Sequence, residues 1–282
     1  MHRTSEIVYL ILSRFSLKNH IFRTYLYENW KDKDWAKFLE ERRHYYLDYN
    51  LPSLQAQTNQ NFDYLLYIDP SFPAIGSVIE DLKTSEKEND FVKLQHVDFP
   101  WGDGGPECPM AGPLRLHVFE YVKKNYPNCK WLITTRLDTD DLLSKDFIEE
   151  TYHQFRNKEE WISFRHGYCY MKTKHEYIKY SDWKSCHVIY SEPFNATSLG
   201  CKTAFHRCHA KLGLTENNTE LINVIHTPNR GWWLDLIGLN TNLARNNTYL
   251  DSPRSDRLWE LDRTTYEDIK QYVEFKDIDK GV

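Results

Sequence analysis

Three largely apolar runs, each followed by polar residues, are the feature of this 282-residue chain that most constrains its fold. The runs occupy residues 7–12, 62–68 and 131–135. Short runs of this kind are typical of strands that are buried on both faces, as in a parallel sheet. The first run leads into Ser13 and Arg14, the second into Asp69, and the third into Arg136 and an acidic segment.

Segments with helical spacing separate these runs. Helices are expected at residues 41–57, 75–84, 114–124 and 145–155. We expect a break near Pro52, a short strand at residues 91–97, and Ser144 as the cap of the last helix. Alternation of strands and helices predicts an α/β fold with a mainly parallel sheet flanked by helices. Ligands of such sheets bind beyond the carboxyl ends of the strands.

The pattern changes after Trp161. Short strand-like pieces follow at residues 161–164, 168–171, 177–180 and 187–190. They predict a smaller antiparallel region, an insertion or a lid. A further short strand at 224–226 and a helix at 266–273 are expected. Since no repeat or low-complexity linker is present, one domain over residues 1–282 is expected, with a first half of about 1–165 and a second of about 166–282.

Composition excludes several classes of protein. Apolar residues make up 40% of the chain and charged residues 27%, which allows a globular core. The net charge of -5 is unlike that of a nucleic-acid binder. The apolar run at 7–12 is too short to span a bilayer, and no cleavage site follows it. We expect a cytoplasmic protein without an integral membrane segment, free or peripheral to a membrane, with its six cysteines reduced.

The acidic run Asp138-Thr139-Asp140-Asp141 directly follows the third apolar run. Carboxylates this close repel each other unless a cation or solvent compensates their charge. Hard dications such as Mg²⁺ and Mn²⁺ bind carboxylate oxygens and keep positions open for substrate phosphates. Since residues two apart in an extended turn point the same way, Asp138 and Asp140 can share one ion. The alternative is an exposed acidic loop.

The stretch at residues 134–143, TTRLDTDDLL, resembles the signature of the putative rhamnosyltransferase family, a branch of the glycosyltransferases with the A-type (GT-A) fold. Three other segments agree with it in order: LSRF at 12–15, LPSLQAQT at 51–58 and YID at 67–69. The similarity covers about residues 7–164, and more faintly 194–200. It implies a Rossmann-like GT-A fold whose first half binds the nucleotide sugar and the metal, and whose second half faces the acceptor.

The resemblance also implies roles for single residues. Asp69 matches the aspartate that contacts the base or ribose, and Arg14 would lie beside the nucleotide. Arg115 matches a basic residue that pairs with the diphosphate, although a solvated charge on an amphipathic helix is the alternative. Asp138 would contact the donor through the ion. Arg136 would either assist or simply neutralise the acidic run.

The metal ligands implied are Asp138, Asp140 and Asp141, with His226 as the late histidine that GT-A enzymes often add. An ordinary half-buried histidine is the alternative for His226. Two carboxylates after the acidic run, Asp235 and Glu192, are candidates for the base that removes the acceptor's proton. A salt-bridged surface carboxylate is the alternative for each.

The expected function is that of a glycosyltransferase that uses Mn²⁺ or Mg²⁺ and moves a sugar from a nucleotide-sugar donor to a glycan or other hydroxyl acceptor. The family favours a deoxyhexose such as rhamnose as the donor sugar. Two other classes stay open. A metal-dependent phosphohydrolase or nucleotidyltransferase also uses clustered aspartates at a strand end, and a non-catalytic carbohydrate-binding protein would also be rich in aromatic residues.

Overall fold

The computed structural model describes residues 5–17, 31–97, 111–171, 175–181, 187–205, 222–225, 231–237 and 263–275. Within these ranges the chain forms two sheets and the helices that cover them. The predicted α/β fold class, a mainly parallel sheet flanked by helices with a smaller, mostly antiparallel sheet, is confirmed. The prediction of one domain stays a prediction.

The larger sheet has seven strands among the described residues, in the order β10-β6-β9-β4-β1-β2-β3. Its strands are β1 (Ile7–Ser16), β2 (Asp63–Ile68), β3 (Val92–His96), β4 (Trp131–Arg136), β6 (Glu160–Phe164), β9 (Ile189–Pro193) and β10 (Ile222–Ile225). Strands β4, β1, β2 and β3 run parallel, and β9 lies antiparallel between β4 and β6. The three apolar runs are therefore adjacent, with β1 in the middle.

The smaller sheet has five strands within the described ranges, in the order β12-β8-β7-β11-β5. Its strands are β5 (Asp141–Leu143), β7 (His166–Met171), β8 (Glu176–Ser181), β11 (Trp233–Ile237) and β12 (Arg263–Thr264). Its pairs are antiparallel except β7 with β11, which are parallel. Because β5 directly follows the end of β4, the acidic run lies where the chain passes from one sheet to the other.

The helices lie mainly between strands of the larger sheet. They are α1 (Asp32–Tyr45), α2 (Leu51–Gln55), α3 (Ile79–Glu88), α4 (Ala111–Asn125), α5 (Phe147–Gln154) and α6 (Tyr266–Ile269). A π-helical turn, Tyr46–Asn50, joins α1 to α2, and a 3-10 turn, Ile75–Ser77, precedes α3. None of the described helices is long and apolar enough to cross a membrane.

Alternate residues of β1 enter two separate cores, one on each face of the larger sheet. Tyr9 and Ile11 pack with residues of α1, α2, α3 and α5, whereas Leu10 and Leu12 pack with α4. Successive side chains of a strand point to opposite faces. A strand covered on both faces therefore needs an unbroken apolar sequence, which is why this run does not alternate with polar residues.

Several local predictions were wrong. Pro52 causes no break, because it lies in the first turn of α2, where its missing N–H is tolerated. Ser144 does not cap the following helix, which begins at Phe147 with Asp146 at the N-cap position. The pieces at 161–164 and 187–190 do not belong to an antiparallel insertion. They correspond to β6 and to the start of β9, and both strands extend the larger sheet.

Candidate functional site

The acidic run forms a tight turn at the carboxyl edge of the larger sheet. Strand β4 ends at Arg136, and the amide of Asp141 donates to the carbonyl of Asp138 over 3.1 Å, which closes the turn. Strand β5 then begins at Asp141. We call residues 138–141 the acidic turn. Its position beyond the ends of β1, β2 and β4 is where ligands of open α/β sheets bind.

Two arginines hold the carboxylate of Asp138. The Nη2 atom of Arg14 donates to both carboxylate oxygens, over 2.9 and 3.0 Å, and Nη2 of Arg136 donates to Oδ2 over 2.7 Å. The register of β1 against β4 pairs Leu12 with Arg136, which brings Arg14 level with the acidic turn. Burial raises the pKa of Asp138, but the charges and hydrogen bonds of Arg136 and Arg14 together lower that pKa well below its usual range.

Asp140 differs from Asp138, because its carboxyl group forms no ion pair with the described part of the chain. Burial raises its pKa, the charge of Arg42 opposes this, and the charge of Asp138 adds to the rise. Arg42 comes from α1 and donates from Nη2 to the carbonyl of Arg14 over 3.2 Å. Asp140 is therefore the half-buried carboxyl of the turn that is available to a cation.

Asp141 and Asp235 are neighbours in the smaller sheet. Asp141 is buried, and the antiparallel register of β5 and β11 places the two residues directly opposite each other. Asp235 is thus brought to the acidic turn by its backbone position. The predicted ligand His226 lies outside the described residues.

Asp69 lies at the same edge of the sheet, directly after β2. It is 5% exposed, and its Oδ1 accepts hydrogen bonds from the amide and the hydroxyl of Ser71, each over 2.7 Å. The amide of Asp69 donates to the carbonyl of Ser16 at the end of β1 over 3.3 Å. The side chain therefore shapes the loop after β2 beside the strand that carries Arg14.

Within the described residues, Glu192 and Arg115 form no hydrogen bond or ion pair with the acidic turn. Glu192 is on β9 opposite Leu132, near the start of β4. At about 3.3 Å of rise per residue, this is roughly 13 Å along the strand from Arg136. Arg115 lies on α4, is exposed, and donates from Nε to the carbonyl of Cys201 over 3.1 Å. The register therefore places Glu192 away from the acidic turn, while its role as the base and the role of Arg115 beside the diphosphate stay predictions.

The structure adds residues that the sequence did not indicate. His187 is 1% exposed. Burial lowers its pKa, and the negative charges of Asp141, Asp138 and Asp140 oppose that shift. Phe205 is 2% exposed, with the guanidinium carbons of Arg14 and Arg136 at 5.6 and 5.2 Å from its ring centre.

Local sequence carries no signal for these two residues, because their relation to the acidic turn depends on where the chain returns. His187 precedes the antiparallel strand β9, and the amide of Ala204 donates to the hydroxyl of Thr134 over 2.8 Å, which fixes the segment before Phe205 against β4.

Two side chains of the segment at residues 50–57 donate hydrogen bonds to backbone carbonyls in and just after the acidic turn. Asn50 is fully buried and donates from Nδ2 to the carbonyls of Asp141, over 2.6 Å, and Asp138, over 3.4 Å. Gln57 donates to the carbonyl of Ser144 over 2.7 Å. Gln57 lies in the motif LPSLQAQT and contacts the chain just after the acidic turn, whereas Asn50, which contacts the turn itself, directly precedes the motif.

The residues present fit a divalent cation that is shared with a substrate. Among the described residues no group of three or more His, Cys, Asp or Glu side chains is arranged to hold a metal. However, Mg²⁺ is usually bound by one or two carboxylates plus substrate phosphates. Asp140 is available, and Asp138 would share its oxygens between the ion and the arginines. The turn thus suits a dication that arrives with a diphosphate.

One family model matches the chain. Residues 10–98 match the family described as "Putative rhamnosyl transferase". The resemblance seen in the sequence is confirmed over this stretch, which includes the segments at 12–15, 51–58 and 67–69. The acidic turn lies beyond the matched residues, so its role is argued from its geometry. No curated protein matches the chain.

The chain is also similar to solved structures of low sequence identity. S. aureus TarS 1-349 in complex with UDP is 10% identical with a TM-score of 0.38, over 82% of this chain and 61% of that one. A putative glucose-1-phosphate thymidylyltransferase from Bacillus anthracis in complex with a sucrose is 12% identical with a TM-score of 0.38, over 87% and 96%. HddC from Yersinia pseudotuberculosis is 12% identical with a TM-score of 0.37, over 81% and 93%.

Proposed function

We propose that this chain is a glycosyltransferase that transfers a sugar from a nucleotide-sugar donor to a hydroxyl acceptor with the help of Mn²⁺ or Mg²⁺. The observation that carries the proposal is the acidic turn, in which Asp138 is clamped by two arginines and Asp140 is left available. The match to the rhamnosyl transferase family makes a deoxyhexose such as rhamnose the favoured donor sugar.

The charges around the acidic turn support a metal-diphosphate ligand. Three arginines, Arg14, Arg42 and Arg136, act on Asp138 and Asp140. With Asp141, the third aspartate of the turn, the formal charges of these six side chains sum to zero. A dication and the doubly charged diphosphate of a nucleotide sugar cancel each other, so their joint binding keeps the balance. Either one alone would leave uncompensated charge in a half-buried site.

The proposed roles of the residues follow from their positions. Asp140 and Asp138 would hold the ion, which stabilises the leaving diphosphate as a Lewis acid when it is bound. Arg14 and Arg136 would donate to phosphate oxygens as well as to Asp138, since guanidinium groups suit phosphate geometry. Asp69 would border the nucleoside from the end of β2.

Asp235 is the preferred candidate for the base. Its backbone register opposite Asp141 supports this choice, because a base must lie at the same site as the donor to reach the hydroxyl of the acceptor. Glu192 is the weaker candidate, given its distance along β4 from the turn.

A binding experiment tests the metal assignment. We expect Asp140→Asn to weaken Mn²⁺-dependent binding of nucleoside diphosphates by roughly 100-fold or more, because a ligand of the ion loses its charge. Calorimetry with UDP, GDP, dTDP and CDP, each with and without Mn²⁺, measures this. Asp90→Asn is the matched control, since Asp90 is an exposed residue before β3. Unchanged Mn²⁺-dependent affinity in Asp140→Asn would overturn the assignment.

An isotope experiment tests the reaction itself. With a nucleotide sugar labelled in the sugar, a transferase moves the label to a hydroxyl acceptor. A phosphohydrolase releases phosphate or free sugar phosphate without an acceptor, and a binding protein turns over nothing. Label in an acceptor product that disappears in Asp140→Asn is the expected result. Release that does not depend on an acceptor would favour the hydrolase.

A further inference from the structure

The side chain of Asn50 brackets the acidic turn. Its Nδ2 donates to the carbonyl of Asp141 over 2.6 Å and reaches the carbonyl of Asp138 over 3.4 Å. These carbonyls belong to the first and last residues of the turn, and Asp140 lies between them. One fully buried amide group thus fixes both ends of the segment that presents the available carboxyl.

The orientation of this amide group is itself fixed. The hydroxyl of Tyr64 donates to Oδ1 of Asn50 over 3.0 Å, which leaves Nδ2 directed at the turn. The carbonyl of Asn50 accepts from the hydroxyl of Ser53 over 2.7 Å. Asn50 is also the last residue of the π-helical turn Tyr46–Asn50. Short π-helical segments within helices occur often at functional sites, where they redirect a side chain.

We propose that Asn50 is a positioning residue for the donor diphosphate, which sets the spacing of the Asp138 and Asp140 carboxylates by holding the backbone between them. The proposal rests on the proposed function of the acidic turn. Asn50 touches neither ion nor substrate, and it acts through the turn. Groups that orient metal ligands in this way typically change metal affinity or activity by roughly 10- to 100-fold when they are removed.

A second buried asparagine provides a matched comparison. Asn89 is 9% exposed, donates from Nδ2 to the carbonyl of Ser85 over 2.8 Å, and accepts from Gln55 over 2.8 Å. It follows α3, and the hydrogen bonds of its side chain within the described residues go to Ser85 and Gln55 rather than to the acidic turn. Asn50→Asp and Asn89→Asp therefore make the same chemical change, each replacing a buried donor to a carbonyl with an acceptor.

The experiment uses the full chain and two measurements. Amide hydrogen exchange at Asp141, whose N–H closes the turn, reports on the backbone without any ligand. We expect it to be roughly tenfold faster in Asn50→Asp than in the parent or in Asn89→Asp. Calorimetry with Mn²⁺ and the nucleoside diphosphate that binds the parent should show roughly 10- to 100-fold weaker binding in Asn50→Asp only.

The outcomes separate the two proposals. If exchange at Asp141 is unchanged in Asn50→Asp, or equally faster in both variants, the positioning role is refuted whatever the ligand data show. If exchange rises in Asn50→Asp only and the parent binds no nucleoside diphosphate, the positioning of the turn stands and the proposed function fails.

A milder pair covers the case in which Asn50→Asp does not fold. Tyr64→Phe removes the hydroxyl that orients Asn50, whereas Tyr46→Phe removes a hydroxyl that contacts Ser85 over 2.9 Å from a ring stacked on Tyr64. Faster exchange at Asp141 in Tyr64→Phe but not in Tyr46→Phe supports the proposal. Equal exchange rates in both variants overturn it.

Discussion

Two carboxylates lie at opposite ends of β4, a half-buried one and a buried one, and the groups that contact them differ. Asp138, beyond the carboxyl end, is held by the guanidinium groups of Arg14 and Arg136. Glu192, beside the start of the strand, has an Oε1 atom that is buried without a hydrogen-bond partner among the described residues. Burial is the largest influence on both, and it favours the neutral form of each.

The groups around each carboxyl decide whether its pKa is lowered or raised. The two arginines lower the pKa of Asp138 well below its usual range, so this carboxylate stays charged. Burial raises the pKa of Glu192 to about 7, opposed by the backbone amide of Lys202 and reinforced by the charge of Glu159. A charged carboxylate beside arginines suits a site for a metal and phosphates. A carboxyl whose pKa is raised to about 7, beside Cys201, suits the interior of a fold.

Removal of one arginine should change the stability most, because it takes away part of what distinguishes Asp138 from Glu192. Arg136→Met should destabilise the protein by about 3 kcal/mol, because the half-buried Asp138 loses a charged hydrogen-bond partner, Phe205 loses a cation–π contact, and Arg14 alone then compensates the carboxylate. Urea denaturation measures this loss. Arg43→Met, which disrupts more exposed pairs with Glu40 and Asp81, should cost at most about 1 kcal/mol. A double variant with Asp138→Asn that recovers no stability would contradict the explanation.

Glu192 predicts a pH dependence that Asp138 lacks near neutrality. Because its pKa is raised to about 7 in the folded state, the folded protein binds the proton more tightly than the unfolded chain does. Stability should therefore fall as the pH rises from about 4.5 to about 7, by up to about 3 kcal/mol, and then level off. Glu192→Gln should be similar to the parent near about pH 5 and more stable near about pH 8. An identical pH dependence in the two proteins would show that Glu192 is not the cause.

Replacement of Phe205 should change the stability least. It tests the surroundings of Asp138 indirectly, because Phe205 contacts the two arginines and not the carboxylate. Phe205→Leu should destabilise by about 1 kcal/mol more than Phe119→Leu, since two desolvated guanidinium groups lose a cation–π contact. Phe119 is the matched control, as a buried ring with the amine of Lys123 at 5.5 Å from its centre. Equal losses, measured by chemical denaturation, would assign the whole effect to packing.

Local sequence predicted much of the fold and the location of the site. The apolar runs predicted β1, β2 and β4, and their polar endings predicted that Arg14, Asp69 and the acidic run share one edge of the sheet. These predictions succeeded because burial on both faces imposes an unbroken apolar sequence on each strand. Parallel pairing then brings equivalent ends together.

The partners of those residues could not be predicted in this way. The sequence placed Arg14, which is 124 positions from Asp138, at the same edge of the sheet but did not indicate their ion pair, and it gave no sign of Asn50, which is 88 positions away. For the same reason, the sequence could not show which base candidate lies near the acidic turn. Glu192 follows the acidic run, yet β9 runs antiparallel to β4 and carries it to the far end of the strand.

The sequence by itself determined the class of fold and the edge at which the chemistry is expected, because both follow from the periodicity of burial along the chain. The tertiary structure alone decided which carboxylate stays charged, which one is available to a cation and which one has its pKa raised to about 7. Those properties depend on distances between groups that are far apart in sequence, since desolvation and charge act through space.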